Sequence, residues 1–125
     1  MSQKILIVED NDNNCSLFRD ILSFHGYEVS VAHEGKEGVA LAGELMPDLI
    51  LMDIQMPGMD GLTACGILRG DPATSRLKVI ALTSFAMQGD KQRFLAAGFD
   101  DYVPKPISTR ELPALVQQWL ENERS

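Results

Sequence analysis

The sequence predicts an α/β fold, a doubly wound five-stranded parallel sheet with five helices. Short apolar or β-branched segments alternate along the chain with longer stretches in which apolar residues recur at three- and four-residue steps. Such alternation implies right-handed crossovers and a parallel sheet that is covered by helices on both faces. A chain of 125 residues fits one domain of ordinary size, so we expect a single domain over 1–125 with no output domain.

The predicted strands are the segments richest in apolar and β-branched residues. The first and third are continuously apolar, which is typical of central strands in a parallel sheet. The second, EVSVA, alternates between polar and apolar residues, which indicates an edge strand. The five predicted strands are Lys4–Val8, Glu28–Ala32, Asp48–Met52, Lys78–Leu82 and Asp101–Val103.

Several residues are typical of helix ends. Asp60 is predicted to cap the third helix at its N-terminus. Ser108 and Glu111 match a capping box that would open the last helix, although Pro113 one turn later indicates an irregular start. Glycines often end helices, and four lie at or near the predicted ends: Gly26, Gly43, Gly70 and Gly98.

Aromatic residues predicted to lie in the core or on half-buried helix faces are Phe24, Phe94, Phe99 and Trp119.

Composition and charge argue against several classes of protein. The net charge is −7, with 18 acidic and 11 basic residues, and the basic residues form no stripe, so we expect no nucleic-acid binding. The two cysteines and two histidines lack the spacing of a zinc site or a disulfide framework. No leader segment opens the chain and no apolar run approaches the ~18 residues that cross a bilayer, so we expect a cytoplasmic protein without membrane contact.

Polar side chains follow four of the five predicted strands. Glu9 and Asp10 follow the first strand, Asp53 the third, Thr83 and Ser84 the fourth, and Lys105 the fifth. Because ligands of open parallel sheets bind beyond the carboxyl ends of the strands, we expect these side chains to converge at one edge.

Three converging carboxylates require compensation. Two carboxylates about 5 Å apart repel each other by roughly 3 kcal/mol at an effective dielectric constant near 20. The simplest alternative is that Glu9, Asp10 and Asp12 only stabilise the N-terminus of the first helix. Acids from neighbouring strands favour a cation site instead, and all-oxygen ligands suit Mg²⁺. The ammonium group of Lys105 would then pair with Asp53 or with an anion attached to it, and Thr83 could bond that anion.

Four motifs together resemble the receiver domain of bacterial two-component response regulators. They occur in order and with the expected spacing over essentially the whole chain: ILIVED (5–10), DLILMDIQMPGMDG (48–61), VIALTSFA (79–86) and AAGFDDYVPKP (96–106). Among receivers, the sequence is most similar to the small stand-alone regulators of polar differentiation in the cell cycle. The resemblance implies a CheY-like, flavodoxin-like fold with strand order 2-1-3-4-5.

The resemblance also implies the roles of the site residues. Asp53 would accept a phosphoryl group, Thr83 would hydrogen-bond to it and Lys105 would pair with it. The ligands of Mg²⁺, for which Mn²⁺ could substitute, would be the side chains of Asp10 and Asp53, the backbone carbonyl of Gln55 and, through water, Glu9. Tyr102 would be an aromatic switch residue, and the bond before Pro106 would be cis.

The implied partners are proteins. A histidine kinase or a histidine phosphotransfer protein would donate the phosphoryl group, and a downstream target protein or kinase would read the switched face of the fourth helix, fifth strand and fifth helix. The chain would be a monomer or a weak dimer formed on phosphorylation. It would catalyse only its own phosphorylation and dephosphorylation. Phe85, Ala86 and Met87 could add an apolar partner surface or pack in the core.

Two other functions share features with this sequence. A haloacid-dehalogenase-type phosphatase also uses an aspartate at a strand end, but it requires a second acid two residues later, where this chain has Gln55, and usually a cap domain. A flavodoxin-like electron carrier would need a phosphate-binding loop after the first strand. The carboxylates of Glu9 and Asp10 would repel the phosphate of a flavin cofactor there.

Overall fold

Five parallel strands and five helices make up the part of the chain that the computed structural model describes, residues 2–84 and 90–122. The strands form one sheet in the order β2-β1-β3-β4-β5, which confirms the predicted doubly wound α/β topology and the edge position of β2. The strands are β1 (Lys4–Val8), β2 (Glu28–Ala32), β3 (Leu49–Asp53), β4 (Val79–Thr83) and β5 (Asp101–Pro104). The helices are α1 (Asp12–Phe24), α2 (Gly35–Leu45), α3 (Gly61–Gly70), α4 (Asp90–Ala96) and α5 (Leu112–Glu121).

β3 and β4 each end one residue later than predicted. Asp53 pairs with Leu82 across the sheet, and Thr83 pairs with Pro104, so both polar residues belong to the ladder. Their backbone groups are satisfied by these pairings even though their side chains are unusual for buried strands. Asp53 and Thr83 are therefore held by strand backbone rather than by a loop.

The sheet separates two apolar layers, because successive side chains of each buried strand point to opposite faces. In β1, Leu6 and Val8 belong to one layer, whereas Ile5 and Ile7 belong to the other. Residues of α2, α3 and α4 complete the first layer, including Ala42, Ala64, Leu68 and Phe94. Residues of α1 and α5 complete the second, including Phe18, Leu22, Val116 and Trp119. Of the helices in the described ranges, none has the length and apolarity that crossing a membrane requires.

Two helix ends differ from the prediction. α5 begins at Leu112 with Glu111 as its N-cap, whereas Ser108 only accepts backbone hydrogen bonds in the preceding turn. The reason is Pro113, which lacks a backbone N–H and is tolerated only in the first turn of a helix. α2 continues past Gly43 to Leu45, and its C-cap is Met46 at φ 47°. The predicted cap of α3 is confirmed, since the side chain of Asp60 accepts a hydrogen bond from Thr63 N at 2.8 Å.

Phe24 was predicted to be at least half-buried, and this is wrong. It is 87% exposed because it is the last residue of α1, beyond the face on which Phe18 and Leu22 cover the sheet. Phe94, Phe99 and Trp119 are buried, as predicted.

Arg69 joins α3 to the turn that precedes β5. Its guanidinium group donates to the carbonyl oxygens of Gly98, Ser75 and Leu77 and to Asp100 Oδ2, which lies 3.0 Å away. Asp100 Oδ2 also accepts a hydrogen bond from Val79 N at the start of β4. These bonds fix the point at which β5 begins, four residues before Lys105.

Gly61 allows α3 to start directly against β3. A Cβ atom at this position would lie 2.4 Å from the carbonyl oxygen of Asp53 and 2.9 Å from Ile54 Cα, distances that atoms do not tolerate. The backbone N–H of Gly61 also bonds to Ile54 O at 2.9 Å. The small residue therefore helps to fix the backbone that carries Asp53.

We expect Gly61→Ala and Gly66→Ala to have opposite effects on stability, although both residues lie in α3. The first substitution places a methyl group against rigid backbone and should lower the free energy of unfolding by about 1–3 kcal/mol. At Gly66 no atom lies within 4 Å of the added Cβ. Alanine there should raise that free energy by about 0.5–1 kcal/mol, because it favours helix. Urea denaturation of both variants measures this, and equal effects would contradict the close approach at Gly61.

Candidate functional site

Four of the side chains predicted to converge meet at the carboxyl edge of the sheet, those of Glu9, Asp10, Asp53 and Lys105. Glu9 and Asp10 follow β1, and Asp53 ends β3. Carboxylate oxygens of these three residues lie within 4.8 Å of one another. Glu9 and Asp53 are buried, at 1% and 4% exposure, whereas Asp10 is exposed. The site therefore concentrates negative charge where water can solvate only part of it.

One ammonium group bridges the two buried carboxylates. Lys105 Nζ lies 2.8 Å from both Glu9 Oε1 and Glu9 Oε2, and 3.2 Å from Asp53 Oδ2. The sequence predicted a pairing of Lys105 with Asp53, and the structure adds a closer one with Glu9. Burying a charge is costly unless it is paired and hydrogen-bonded, so Lys105 stabilises the burial of both carboxylates, and they stabilise the burial of its ammonium group.

The environment of Asp53 makes its negative charge less favourable than it would be in water. Burial, followed by the charge of Glu9, raises the pKa of Asp53 from 3.8 to about 6. Lys105 and the backbone N–H of Gln55, which donates to Asp53 Oδ1 at 3.1 Å, act in the opposite direction. Burial also disfavours the charged form of Lys105, but bonds to Glu9 and its charge, with those of Asp53, raise the pKa of the lysine above its ordinary value.

The donor set fits a hard divalent cation. Three carboxylates share a small space, and Lys105 supplies one positive charge to two of them. Oxygen ligands with an excess of negative charge are those that Mg²⁺ prefers, usually through one or two carboxylates with several waters retained. Asp10 and Asp53 are the acids best placed for such a role, because Glu9 already accepts both hydrogen bonds from Lys105.

The remaining predicted residues lie on or after the last two strands: Thr83 ends β4, Tyr102 is in β5, and Pro106 follows Lys105. Thr83 is buried, and its carbonyl oxygen accepts a hydrogen bond from Lys105 N at 2.7 Å. The half-buried ring of Tyr102 lies 5.7 Å from the ring of Phe94 in α4. The peptide bond between Lys105 and Pro106 is cis. Phe85, Ala86 and Met87 lie outside the described residues.

Two contacts to Glu9 were not predicted. Asn14 Nδ2 donates to Glu9 Oε1 at 3.0 Å, and the thiol of Cys15 donates to the backbone oxygen of Glu9 at 3.1 Å. The signal that could have revealed Asn14 is the preceding Asn11, an N-cap residue that places Asn14 in the first turn of α1. Burial, then the charge of Glu9, raises the pKa of Cys15 to about 11, so its thiol stays protonated and acts as a donor.

Comparisons with known proteins agree with this geometry. Residues 5–117 match the profile of the response regulator receiver domain. The polar-differentiation response regulator DivK of Brucella ovis is 42% identical over 120 residues, which cover 96% of this chain and 98% of that protein.

Solved structures show the same fold. The receiver domain of a sensor histidine kinase from Pseudomonas aeruginosa, with a magnesium ion coordinated in its active-site cleft, superposes with a TM-score of 0.88 at 37% identity, covering 98% of this chain and 100% of that one. The chemotaxis protein CheY4 of Vibrio cholerae superposes with a TM-score of 0.88 at 27% identity, covering 94% and 98%.

Replacement of Asp53 should change how stability depends on pH. The folded-state pKa of about 6 lies above the unfolded value of 3.8, so the folded protein binds more protons between these limits. The contribution of Asp53 to stability should therefore fall as pH rises from about 4 to about 6. Asp53→Asn removes this loss, and its advantage over the wild type should grow across that range and then level off. Urea denaturation in EDTA measures both proteins, and a difference that does not vary with pH would contradict the raised pKa.

Proposed function

The chain belongs to the family of response regulator receiver domains of two-component signalling, and on this premise we propose that Asp53 accepts a phosphoryl group from a phosphohistidine. The observation that carries the proposal is the buried Asp53 carboxylate, held 3.2 Å from the ammonium of Lys105 and beside the acids Glu9 and Asp10. A carboxylate that is costly to bury and is positioned by a cation suits a nucleophile better than a structural role.

In the proposed step, one oxygen of Asp53 attacks the phosphorus atom in line with the P–N bond. The O–P bond forms as the P–N bond breaks, and the imidazole, protonated on its other nitrogen, leaves as neutral histidine with the bonding electron pair. The ammonium of Lys105 offsets negative charge on the phosphoryl oxygens, and Thr83 donates a hydrogen bond to one of them. Catalysis is then mainly positioning and electrostatic stabilisation, as is general for phosphoryl transfer.

A divalent cation, Mg²⁺ with Mn²⁺ as a substitute, would offset charge on the transferring group. We propose Asp10 and Asp53 as side-chain ligands, the Gln55 carbonyl as a backbone ligand and Glu9 as a ligand through water. The crowding of three acids supports this set. So does the magnesium ion in the related receiver domain from P. aeruginosa.

Phosphorylation would change the binding of partner proteins at the face formed by α4, β5 and α5. Two contacts of β5 support this proposal: the ring of Tyr102 packs on Phe94 of α4, and Asp101 Oδ2 accepts a hydrogen bond from Trp119 Nε1 of α5 at 3.0 Å. If Thr83 moves towards the phosphoryl group, Tyr102 can follow it inward, and both contacts would change. Phosphorylation would thus shift a two-state equilibrium.

The proposed partners are a histidine kinase or histidine phosphotransfer protein as donor and a target protein or kinase as reader, all in the cytoplasm. Neither nucleic acid nor a membrane takes part in the proposed function. The protein would be a monomer, or a weak dimer when phosphorylated. It would turn over no external substrate.

We expect the wild type to gain the mass of one phosphoryl group when it is incubated with acetyl phosphate and Mg²⁺. Asp53→Asn should gain none, because the amide is not a nucleophile. The adduct should resist acid and be lost in base, as an acyl phosphate is. Intact-mass spectrometry measures all three properties. The matched control is Asp60→Asn, which should be phosphorylated like the wild type, because asparagine also caps a helix.

Two results of the same experiment would overturn the proposal. Turnover of many phosphate esters would indicate a phosphatase. A flavin that copurifies with the protein would indicate an electron carrier.

We expect Lys105→Ala to retain Mg²⁺ binding but to be phosphorylated much more slowly than the wild type. Removing the ammonium group leaves the carboxylate ligands in place but withdraws the charge that stabilises the transferring group, so the initial rate with acetyl phosphate should fall at least about tenfold. Calorimetry with Mg²⁺ and intact-mass time courses separate the two effects. Lys36→Ala in α2, where the lysine is exposed, serves as the control. Full signalling by Lys105→Ala in cells would count against the assigned role.

A further inference from the structure

The first turn of α1 is built against Glu9. Asn11 caps the helix, and its side chain accepts a hydrogen bond from Asn14 N at 3.0 Å. In a capping box the third helical residue would bond back to the cap residue. Here the side chain of Asn14, the third residue of α1, instead reaches back to Glu9 Oε1, 3.0 Å away. The cap thus fixes the backbone of Asn14, and the side-chain amide of Asn14 is left to donate a hydrogen bond to the acidic cluster.

Both the backbone groups and the carboxylate of Glu9 make hydrogen bonds. Its backbone N–H donates to Ala32 O at 2.9 Å, and its backbone oxygen accepts from the thiol of Cys15. Within residues 2–84 and 90–122, the donors to its carboxylate are Asn14 and Lys105. Glu9 Oε1 accepts from both of them, so a neutral donor and a charged donor share one oxygen.

This sharing determines where Lys105 can lie. The lysine is 2.8 Å from both oxygens of Glu9 and 3.2 Å from Asp53 Oδ2. Without the amide of Asn14, Lys105 would be the remaining donor to the buried carboxylate of Glu9 in the described contacts. The pairing with Lys105 would then matter more, because an unsatisfied buried charge is costly. The carboxylate could then turn, and the lysine, which already lies at full hydrogen-bond distance from both of its oxygens, would follow it away from Asp53.

We propose that Asn14 is a positioning residue for phosphoryl transfer, whose side-chain amide holds the Glu9 carboxylate so that Lys105 stays within reach of Asp53. This inference rests on the proposed function of Asp53. It concerns a residue that touches neither Asp53 nor the transferring group in the contacts described, and that acts through Glu9 and Lys105.

Asn14→Leu tests the proposal, because leucine keeps the volume but removes the donor. Asn13→Leu is the matched control, since Asn13 is the preceding, exposed residue of the same helical turn. The initial rate of phosphorylation by acetyl phosphate should fall about tenfold in Asn14→Leu, the scale of a hydrogen bond to a charged group, and stay near the wild-type rate in Asn13→Leu. A small-molecule donor excludes any effect of the substitution on the docking of a partner protein.

Calorimetric titration with Mg²⁺ separates positioning from loss of structure. Moving Lys105 away from Asp53 removes a competitor for its carboxylate, so Mg²⁺ affinity of Asn14→Leu should equal or exceed that of the wild type while the rate falls. A general disruption would instead lower the rate, the Mg²⁺ affinity and the melting temperature together, and that result would overturn the proposal.

Two more variants cover a failure of Asn14→Leu to fold. Asn14→Asp keeps the shape, suits the first turn of a helix and replaces the donor with a charge that repels Glu9, so its rate should fall at least as far. Asn14→Gln keeps the donor, and the adjoining cleft of about 250 Å³, lined also by Leu17, Lys105 and Pro106, has room for its extra methylene group, so it should restore much of the rate. Equal rates for Asn14→Asp and Asn13→Leu would overturn the proposal. Absence of phosphate on the wild-type protein would overturn the function of Asp53 itself.

Discussion

The bridge of Lys105 between Glu9 and Asp53 is the interaction on which the site depends. Two carboxylates lie out of reach of most water, and the ammonium between them offsets part of the cost of burying their charge. The bridge is nonetheless incomplete, since the pKa of Asp53 remains raised to about 6. The negative charge of Asp53 is therefore only partly compensated. Such a carboxylate is stabilised further when it binds a cation or an electrophilic phosphorus atom, as a cation ligand and a nucleophile do.

The parallel sheet supplies the geometry of this bridge at little additional cost. Its three participants are the residue after β1, the last residue of β3 and the residue after β5, which are distant in sequence but lie at the same edge of the sheet. The surrounding contacts make these positions firm. Gly61 lets α3 begin in direct contact with the backbone of Asp53. Arg69 fixes the turn that precedes β5. Packing of the fold thus constrains the chemistry through a few backbone positions.

Periodicity and parallel topology predicted where the strands end, and therefore the convergence of Glu9, Asp10, Asp53 and Lys105. The order of the strands came only from the resemblance to receiver domains. It did not predict that Lys105 lies closer to Glu9 than to Asp53, since side-chain reach depends on distances between strand ends. Asn14 was missed because asparagine in a first helical turn is usually explained by capping. Phe24 was misplaced because a helical period shows which face is apolar but not where the covered sheet ends. Ser108 failed as a cap because Pro113 moved the start of α5.

The hydrogen bond between Trp119 and Asp101 gives the molecule a built-in optical probe. The chain contains one tryptophan, and its buried indole group is tied to the residue that precedes Tyr102. Its emission therefore comes from a single place, the junction of α5 and β5, without interference from other indoles. A rearrangement of β5 that breaks this hydrogen bond would change the polarity around the indole group, so tryptophan fluorescence can report it in the unlabelled protein.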